Sequence, residues 1–111
     1  MTQITIDDFQ KVDMRVGRVI RAEPFPAARR PALKLWIDFG PLGTRKTSAQ
    51  ITELYEPETL VGRQVVAVVN FPPRQIADFM SEVLVLGATS ESGTVTLLTP
   101  EREVPLGQPI A

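Results

Sequence analysis

Residues 33–39 show the clearest hydrophobic pattern in the chain, a strict alternation that predicts a half-buried β-strand. The core face of this strand is formed by its four apolar side chains, Leu33, Leu35, Ile37 and Phe39. The opposite face carries Trp36, the only tryptophan, between Lys34 and Asp38. A bound ligand, the preceding loop or a second subunit would each account for a tryptophan on that polar face.

Prolines and glycines divide the rest of the chain into short elements. Besides residues 33–39, we predict strands over residues 15–23, 44–50, 64–70, 83–88 and 94–99. Gly17 permits a bulge or a sharp coil in the first strand, in which Val16, Ile20 and Ala22 share one phase. A short helix over residues 6–11 follows the N-cap Thr5, with Ile6 and Phe9 on its inner face. A second short helix begins at Pro57 and ends before Gly62.

Five or six short strands, with a small helix between the third and the fourth, are typical of an OB-fold barrel. The predicted fold class is therefore all-β, a five-stranded OB-fold barrel with short helices at the N-terminus and between strands 3 and 4. A length of 111 residues fits one domain over residues 1–111. Such barrels bind oligonucleotides or extended ligands on the face of strands 2 and 3 and the adjoining loops.

The chain has no cysteine and no histidine, so it lacks thiol nucleophiles and the commonest general base and metal ligand. We therefore expect a binding protein rather than an enzyme, with no cofactor and no metal site. No signal peptide is visible, and the longest apolar run, residues 65–69, is far too short to span a bilayer. These features predict a cytoplasmic protein without membrane insertion.

The formal net charge of −1 conceals an uneven distribution. Residues 14–50 carry eight basic and two acidic side chains, a net charge of +6. Residues 51–111 carry −5 and residues 1–13 carry −2. The basic third of the chain includes strands 2 and 3, so it forms either a positive binding face or an ordinary solvated strand face.

Four short motifs point to a family: Asp13-Met14-Arg15-Val16-Gly17, Ser48-Ala49, Asn70-Phe71-Pro72-Pro73-Arg74 and Ser81-Glu82. In this order and spacing they resemble the tRNA-binding-domain family, whose members have the OB fold. Some members are appended to aminoacyl-tRNA synthetases, and others are stand-alone homodimers. The resemblance implies a binding domain with tRNA as one candidate partner.

Longer stretches, residues 28–40, 48–52, 70–76 and 81–87, are similar to the CsaA-type secretion chaperones of this family. That resemblance implies a homodimer that binds unfolded or secretory polypeptides, with the translocation ATPase as a further partner. The chain departs from the tRNA-binding members at three places: the loop over residues 25–31, Ser48-Ala49 in place of Ser-Gly, and Val83-Leu84 after the Ser-Glu motif. These departures favour polypeptides over tRNA, and the basic face keeps tRNA as the alternative.

The candidate site is a groove for peptide or RNA on the strand 2–3 face. We expect its lining to be Trp36, Phe71, Phe79 and Met80, and its rim to be Arg15, Lys34, Lys46, Asn70 and Arg74. Ser48, Ser81 and Glu82 complete the predicted set, the last two as residues that orient Arg74. Two alternatives stay open: Phe71 and Phe79 belong to the core or a dimer interface, and Asn70, Ser81 and Glu82 only close a loop.

Overall fold

The computed structural model describes every residue from Met1 to Ala111, and its regular structure is mostly β. The two α-helices, α1 (Ile6–Gln10) and α2 (Pro57–Leu60), are short, and no helix is long and apolar enough to cross a membrane. The nine strands are β1 (Met14–Pro24), β2 (Leu33–Asp38), β3 (Thr44–Ala49), β4 (Gln64–Val68), β5 (Arg74–Ile76), β6 (Phe79–Ser81), β7 (Leu84–Val85), β8 (Gly87–Thr89) and β9 (Val95–Leu97).

Five strands form one antiparallel sheet in the order β3-β2-β1-β4-β7, which curls into a nearly closed barrel. Apolar side chains from the barrel strands and from α2 fill its interior, among them Val19, Leu35, Ile37, Phe39, Leu60, Val65 and Ala67. α1 and α2 lie before β1 and between β3 and β4. The predicted OB-fold barrel, with its two short helices, is therefore confirmed.

The inward face of β2 is the predicted one, since Leu33, Leu35 and Ile37 are all buried. Ile37 packs closely against β1 because Gly17 has no side chain: a Cβ there would lie only 2.5 Å from Ile37 Cγ2. The irregularity of β1 falls further along, between Val19 and Arg21, where the register with β2 shifts. The predicted phase of Ile20 was wrong for this reason: the shift leaves Ile20 47% exposed.

Three further differences from the sequence prediction concern short elements. The predicted strand over residues 83–88 splits, because β7 pairs with β4 and β8 pairs with β9. The β5–β6 hairpin was not predicted, and its turn contains Ala77 at a φ of 53°. The inner face expected for α1 was also wrong, because this helix has no buried residue and Ile6 is exposed.

Residues 103–110, which we call the C-terminal strap, run beside the first half of β1 on the edge that β4 does not use. Gly107 N donates to Val16 O at 2.8 Å, and Ile110 N donates to Met14 O at 3.0 Å. The buried Gln64 side chain also holds the strap through two bonds to the backbone of Val104, at 2.7 and 3.1 Å. The strap thus continues the sheet where β2 has ended.

Candidate functional site

A groove of about 660 Å³ opens between the end of β3, the β5–β6 hairpin and the β7–β8 segment. Seventeen residues line it, nine of them hydrophobic. Five belong to the predicted site: Ser48, Phe71, Arg74, Ser81 and Glu82. The rest are Ala49, Gln50, Ile51, Pro72, Ile76, Val83, Leu84, Val85, Leu86, Gly87, Thr89 and Val95.

Phe71 and Arg74 are two of the exposed residues of this lining. Phe71 is 51% exposed although it is a large apolar side chain. The two prolines between them restrict the backbone of the connecting loop. Arg74 is exposed and makes no side-chain hydrogen bond or ion pair within the chain. This arrangement offers one apolar contact and one unpaired guanidinium to a molecule in the groove.

Ser81 and Glu82 connect the β5–β6 hairpin to β3. The Ser81 hydroxyl lies 2.8 Å from the hydroxyl of Thr47, which is only 1% exposed, and accepts a bond from Ser48 N at 3.2 Å. Glu82 accepts a bond from Lys46 N at 2.9 Å, and its own N–H donates to Lys46 O at 2.8 Å. Neither side chain hydrogen-bonds to Arg74, so the geometry fits the loop-closing alternative rather than an orienting role.

The outer surface of β2 and β3 carries what we call the aromatic cluster: Phe25, Ala32 and Phe79, with Trp36 beside them. Phe79 is 6% exposed and makes edge-on contacts with Phe25 and Trp36 at centroid distances of 5.5 and 5.8 Å. Arg21 lies over the Trp36 ring at 4.4 Å. Two of the aromatic side chains predicted for the groove, Trp36 and Phe79, thus pack against each other on the neighbouring surface.

Two lysines lie on this cluster. Lys34 Nζ is 4.8 Å from the ring centroid of Phe25 and 5.0 Å from that of Phe79. Lys46 Nζ approaches Phe79 at 5.0 Å. Neither ammonium group has a carboxylate partner within 4.0 Å. Met80 extends the same hairpin and is 39% exposed. The cluster therefore presents two unpaired cations to the solvent over buried rings.

Arg15 and Asn70 lie apart from both surfaces and act within the fold. Arg15 bonds to Asp13 through Nε at 2.6 Å and to Gly107 O at 3.0 Å. Asn70 accepts a bond from Asp13 N at 3.0 Å and donates to Lys11 O at 2.8 Å. Together these bonds fasten the N-terminal segment and the C-terminal strap to the barrel, so neither side chain reaches the groove.

The arginines of β1 are paired, which reduces the positive charge expected from the sequence. Arg18 makes a two-pronged contact with Glu103 at 2.7 and 2.9 Å, and Arg21 pairs with Glu23. The hydrogen bond from Arg18 lowers the pKa of Glu103 below its ordinary value, and the same bond raises the pKa of Arg18. A hydrogen bond to Asp13 likewise raises the pKa of Arg15.

The sequence analysis did not single out the apolar wall of the groove, Ile51, Ile76, Leu84 and Leu86. A usable signal was present in residues 83–86, where four consecutive apolar side chains form a segment that is apolar on both faces. One face of such a segment packs on the core, and the other face is expected to be covered by another part of the protein or by a bound molecule. Leu84, on that second face, is 50% exposed.

Comparison with known proteins gives the family. The model of the family described as putative tRNA binding domain matches residues 14–109. A methionine–tRNA ligase of Methanocaldococcus jannaschii is 36% identical over 110 residues, which cover 99% of this chain and 17% of the ligase. A methionine–tRNA ligase of Sorangium cellulosum is 43% identical over 99 residues, 89% of this chain and 14% of the ligase. The chain thus spans less than a fifth of these relatives.

Solved structures of similar length match over the whole chain. The chaperone CsaA from Bacillus anthracis is 53% identical with a TM-score of 0.95, over 99% of this chain and 100% of that one. The CsaA chaperone protein from Picrophilus torridus is 50% identical with a TM-score of 0.91, over 98% and 100%. A MetRS-related protein from Pyrococcus horikoshii is 32% identical with a TM-score of 0.89, over both full chains. The chain therefore belongs to the family of putative tRNA binding domains, as a protein of the CsaA type.

Proposed function

We propose that this protein is a homodimeric, export-related chaperone that binds unfolded or secretory polypeptides in the groove and catalyses no reaction. The observation that carries the proposal is the groove itself, which is largely apolar, open to solvent and equipped with the exposed Phe71 and the unpaired Arg74. Unfolded polypeptides offer what such a groove binds, namely apolar side chains and many carbonyl and carboxylate oxygens.

The proposal gains support from the two similar structures of CsaA chaperones, which match this chain from end to end. Met80 adds a flexible, partly exposed apolar side chain in β6, next in sequence to the groove residue Ser81, and such side chains suit a surface that accepts many sequences. The translocation ATPase is the second partner that we propose for this protein in the cytoplasm.

The homodimer is proposed from the apolar residues near both ends of the chain. Ile4, Ile6, Val12 and Ile110 are all exposed. The backbone bond from Ile110 to Met14 holds the C-terminal strap close to the segment that follows α1. A second copy packed on these residues would bury them, because a two-fold interface joins the same patch on each subunit. Light scattering at micromolar concentration tests this: a dimer is expected, and a monomer would contradict it.

A second function, binding of tRNA by the stand-alone domain, is favoured by Lys34 and Lys46. Their ammonium groups are unpaired, and they lie on the β2–β3 surface that OB folds use for nucleic acids. The family description points the same way. Against it stand the pairing of three β1 arginines with carboxylates and the burial of the aromatic rings on which bases would stack.

The two functions differ in their dependence on salt. Binding of tRNA weakens steeply as salt rises, because counterions return to the phosphates, whereas binding in an apolar groove weakens little. We would titrate labelled tRNA and a labelled unfolded secretory peptide at 50 and 200 mM salt. The chaperone proposal expects the peptide to bind at both concentrations with nearly equal affinity. It fails when only tRNA binds, or when Phe71→Ala and Arg74→Ala both leave the peptide affinity unchanged.

A further inference from the structure

The two terminal strands of the barrel sheet, β3 and β7, border the groove and are joined at one end only. There, Thr47 Oγ1 donates to Val83 O at 2.7 Å, and the backbone of Lys46 bonds to Glu82. Beyond this point no backbone hydrogen bond joins residues 48–51 to residues 84–89. The barrel is therefore open along this stretch, and the groove occupies the opening.

The peptide groups of residues 83–89 point alternately towards and away from this opening. Leu86 N donates to Val66 O at 2.9 Å, and Leu86 O accepts a bond from Leu98 N at 3.1 Å. Ser90 N donates to Thr94 O at 2.9 Å. The even-numbered residues thus bond to β4 and β9. Because neighbouring peptide groups of a strand point to opposite edges, those of the odd-numbered residues face the groove.

These odd-numbered residues are Val83, Val85, Gly87 and Thr89, and all four line the groove. Of their backbone groups, only the carbonyl of Val83 has a partner within the chain, the Thr47 hydroxyl. The wall of the groove is therefore a row of unpaired N–H and C=O groups spaced two residues apart. An unpaired strand edge of this kind is a template for one more strand.

We propose that the groove takes up an extended polypeptide segment as an added β-strand along residues 83–89. This inference rests on the proposed polypeptide-binding function and specifies how the polypeptide is held, by its main chain. Each neighbouring pair in the order β3-β2-β1-β4-β7 is antiparallel, so β3 and β7 run in the same direction. One added strand can therefore lie antiparallel to both.

The groove also selects the chemistry of this segment. A strand rises about 3.3 Å per residue, so residues 83–89 offer an edge of about 20 Å, enough for roughly six residues of the bound segment. Phe71 and Leu84 would contact its apolar side chains on the outer side. Arg74, the only basic side chain of the lining, has no ion-pair partner in the chain and complements an acidic residue. A single cation in an apolar groove does not match the row of phosphates of an RNA strand.

Main-chain recognition is compatible with many client sequences, since every residue except proline supplies the same N–H and C=O groups. The added strand would bond mainly on its β7 side. On the opposite side, the N–H of Ser48 is already bonded to the hydroxyl of Ser81. The bound segment should therefore use the N–H groups of every second residue and leave those between them free.

This alternation can be measured with backbone-methylated peptides. The probe is a fluorescein-labelled ten-residue peptide of alternating leucine and serine with aspartate at both ends, N-methylated at one position at a time. Each backbone bond is worth about threefold to tenfold in affinity, so affinity should fall by about this factor at every second position and stay unchanged between. Binding that is insensitive to methylation would overturn the added strand and leave the proposed function standing. No binding of any probe peptide would overturn both.

The protein can be changed at the same edge. Val85→Pro removes one free N–H but no bond of the β4–β7 ladder, because the peptide groups of Val85 face away from β4. Val85→Ala is the matched control, which loses side-chain packing and keeps the N–H. We expect Val85→Pro to bind the peptide about threefold to tenfold more weakly than Val85→Ala.

A second pair of variants covers the case in which Val85→Pro does not fold. Thr89→Pro and Thr89→Ala change an exposed residue whose N–H also faces the groove. Circular dichroism identifies which variants keep the fold. Equal peptide affinities for the proline and alanine variants of a folded pair would overturn the added-strand proposal.

Discussion

The groove and the aromatic cluster are neighbours joined by the β5–β6 hairpin, yet they differ in how far their aromatic and basic side chains are buried or paired within the chain. In the aromatic cluster, Phe79 is buried against Phe25 and Trp36, and lysines lie over the rings. In the groove, Phe71 stays half exposed and Arg74 has no partner. The same residue types thus serve the fold on one side of the hairpin and remain available for binding on the other.

The largest expected effect tests this contrast directly with two phenylalanines. Phe79→Ala should lower the free energy of unfolding by about 3–5 kcal/mol, because it empties a buried aromatic site. Phe71→Ala should change it by less than about 0.5 kcal/mol, because that ring is half exposed. Urea unfolding followed by tryptophan fluorescence measures both. Equal losses in the two variants would show that the two surfaces are not distinct in this way.

The next effect concerns the hydroxyl that joins the hairpin to β3. Ser81→Ala leaves the buried Thr47 hydroxyl and Ser48 N with one partner fewer, so the free energy of unfolding should fall by about 1–3 kcal/mol. Ser92→Ala is the control, because its hydroxyl bonds only to exposed side chains. A loss in Ser81→Ala no greater than that in the control would mean that these bonds do not stabilise the attachment of the hairpin to β3.

The two surfaces should also respond differently to the loss of charge. Arg74→Ala should weaken binding of an acidic peptide by about tenfold, since hydrogen bonds to charged groups are the stronger ones. The double change Lys34→Ala and Lys46→Ala should leave peptide affinity unchanged and lower the salt slope of any tRNA binding by about 2. Fluorescence anisotropy at several salt concentrations measures both ligands. A reversed pattern would move polypeptide binding to the aromatic cluster.

The smallest effect is a pH dependence that comes from outside both surfaces. Glu103 has a pKa below its ordinary value because Arg18 donates to it. It contributes stability above its unfolded-state pKa, and this contribution is lost as the pH falls through the lower folded-state pKa. Glu103→Gln should flatten this part of the curve of urea midpoint against pH, whereas Glu101→Gln should leave it unchanged. Identical curves for both variants would show that the Arg18 pair does not stabilise the strap.

Much of the barrel was predictable because its signals are local. The alternation from Leu33 to Phe39 and the apolar run of β4 identify buried strands directly. The β5–β6 hairpin was not predicted because its strands have three residues each and its turn uses Ala77 where glycine or asparagine is usual. The split between β7 and β8 depends on which strand lies beside each residue, and the local sequence does not contain that information.

The candidate site was predicted as a list of residue types but not as an arrangement. The positions of Phe71 and Arg74 follow from the loop that contains them, and the structure places both on one groove. Phe79 is buried and Phe71 is exposed because of tertiary contacts alone: Phe25 and Ala32, at the two ends of the loop over residues 25–32, pack against Phe79. The structural roles of Arg15 and Asn70 could not be predicted because their partners are distant in the sequence. Arg15 bonds to Gly107, 92 residues away, and Asn70 bonds to Lys11, 59 residues away.

The C-terminal strap has a consequence for the order in which the protein folds. β1 first meets β2, which follows it closely, and then β4. Its remaining edge is filled only by residues near Gly107, 92 positions after Arg15. Contacts of such long sequence separation form slowly, because the loop must close before the contact is gained. During synthesis, the first half of β1 therefore keeps one edge unpaired until the residues near Gly107 have left the ribosome.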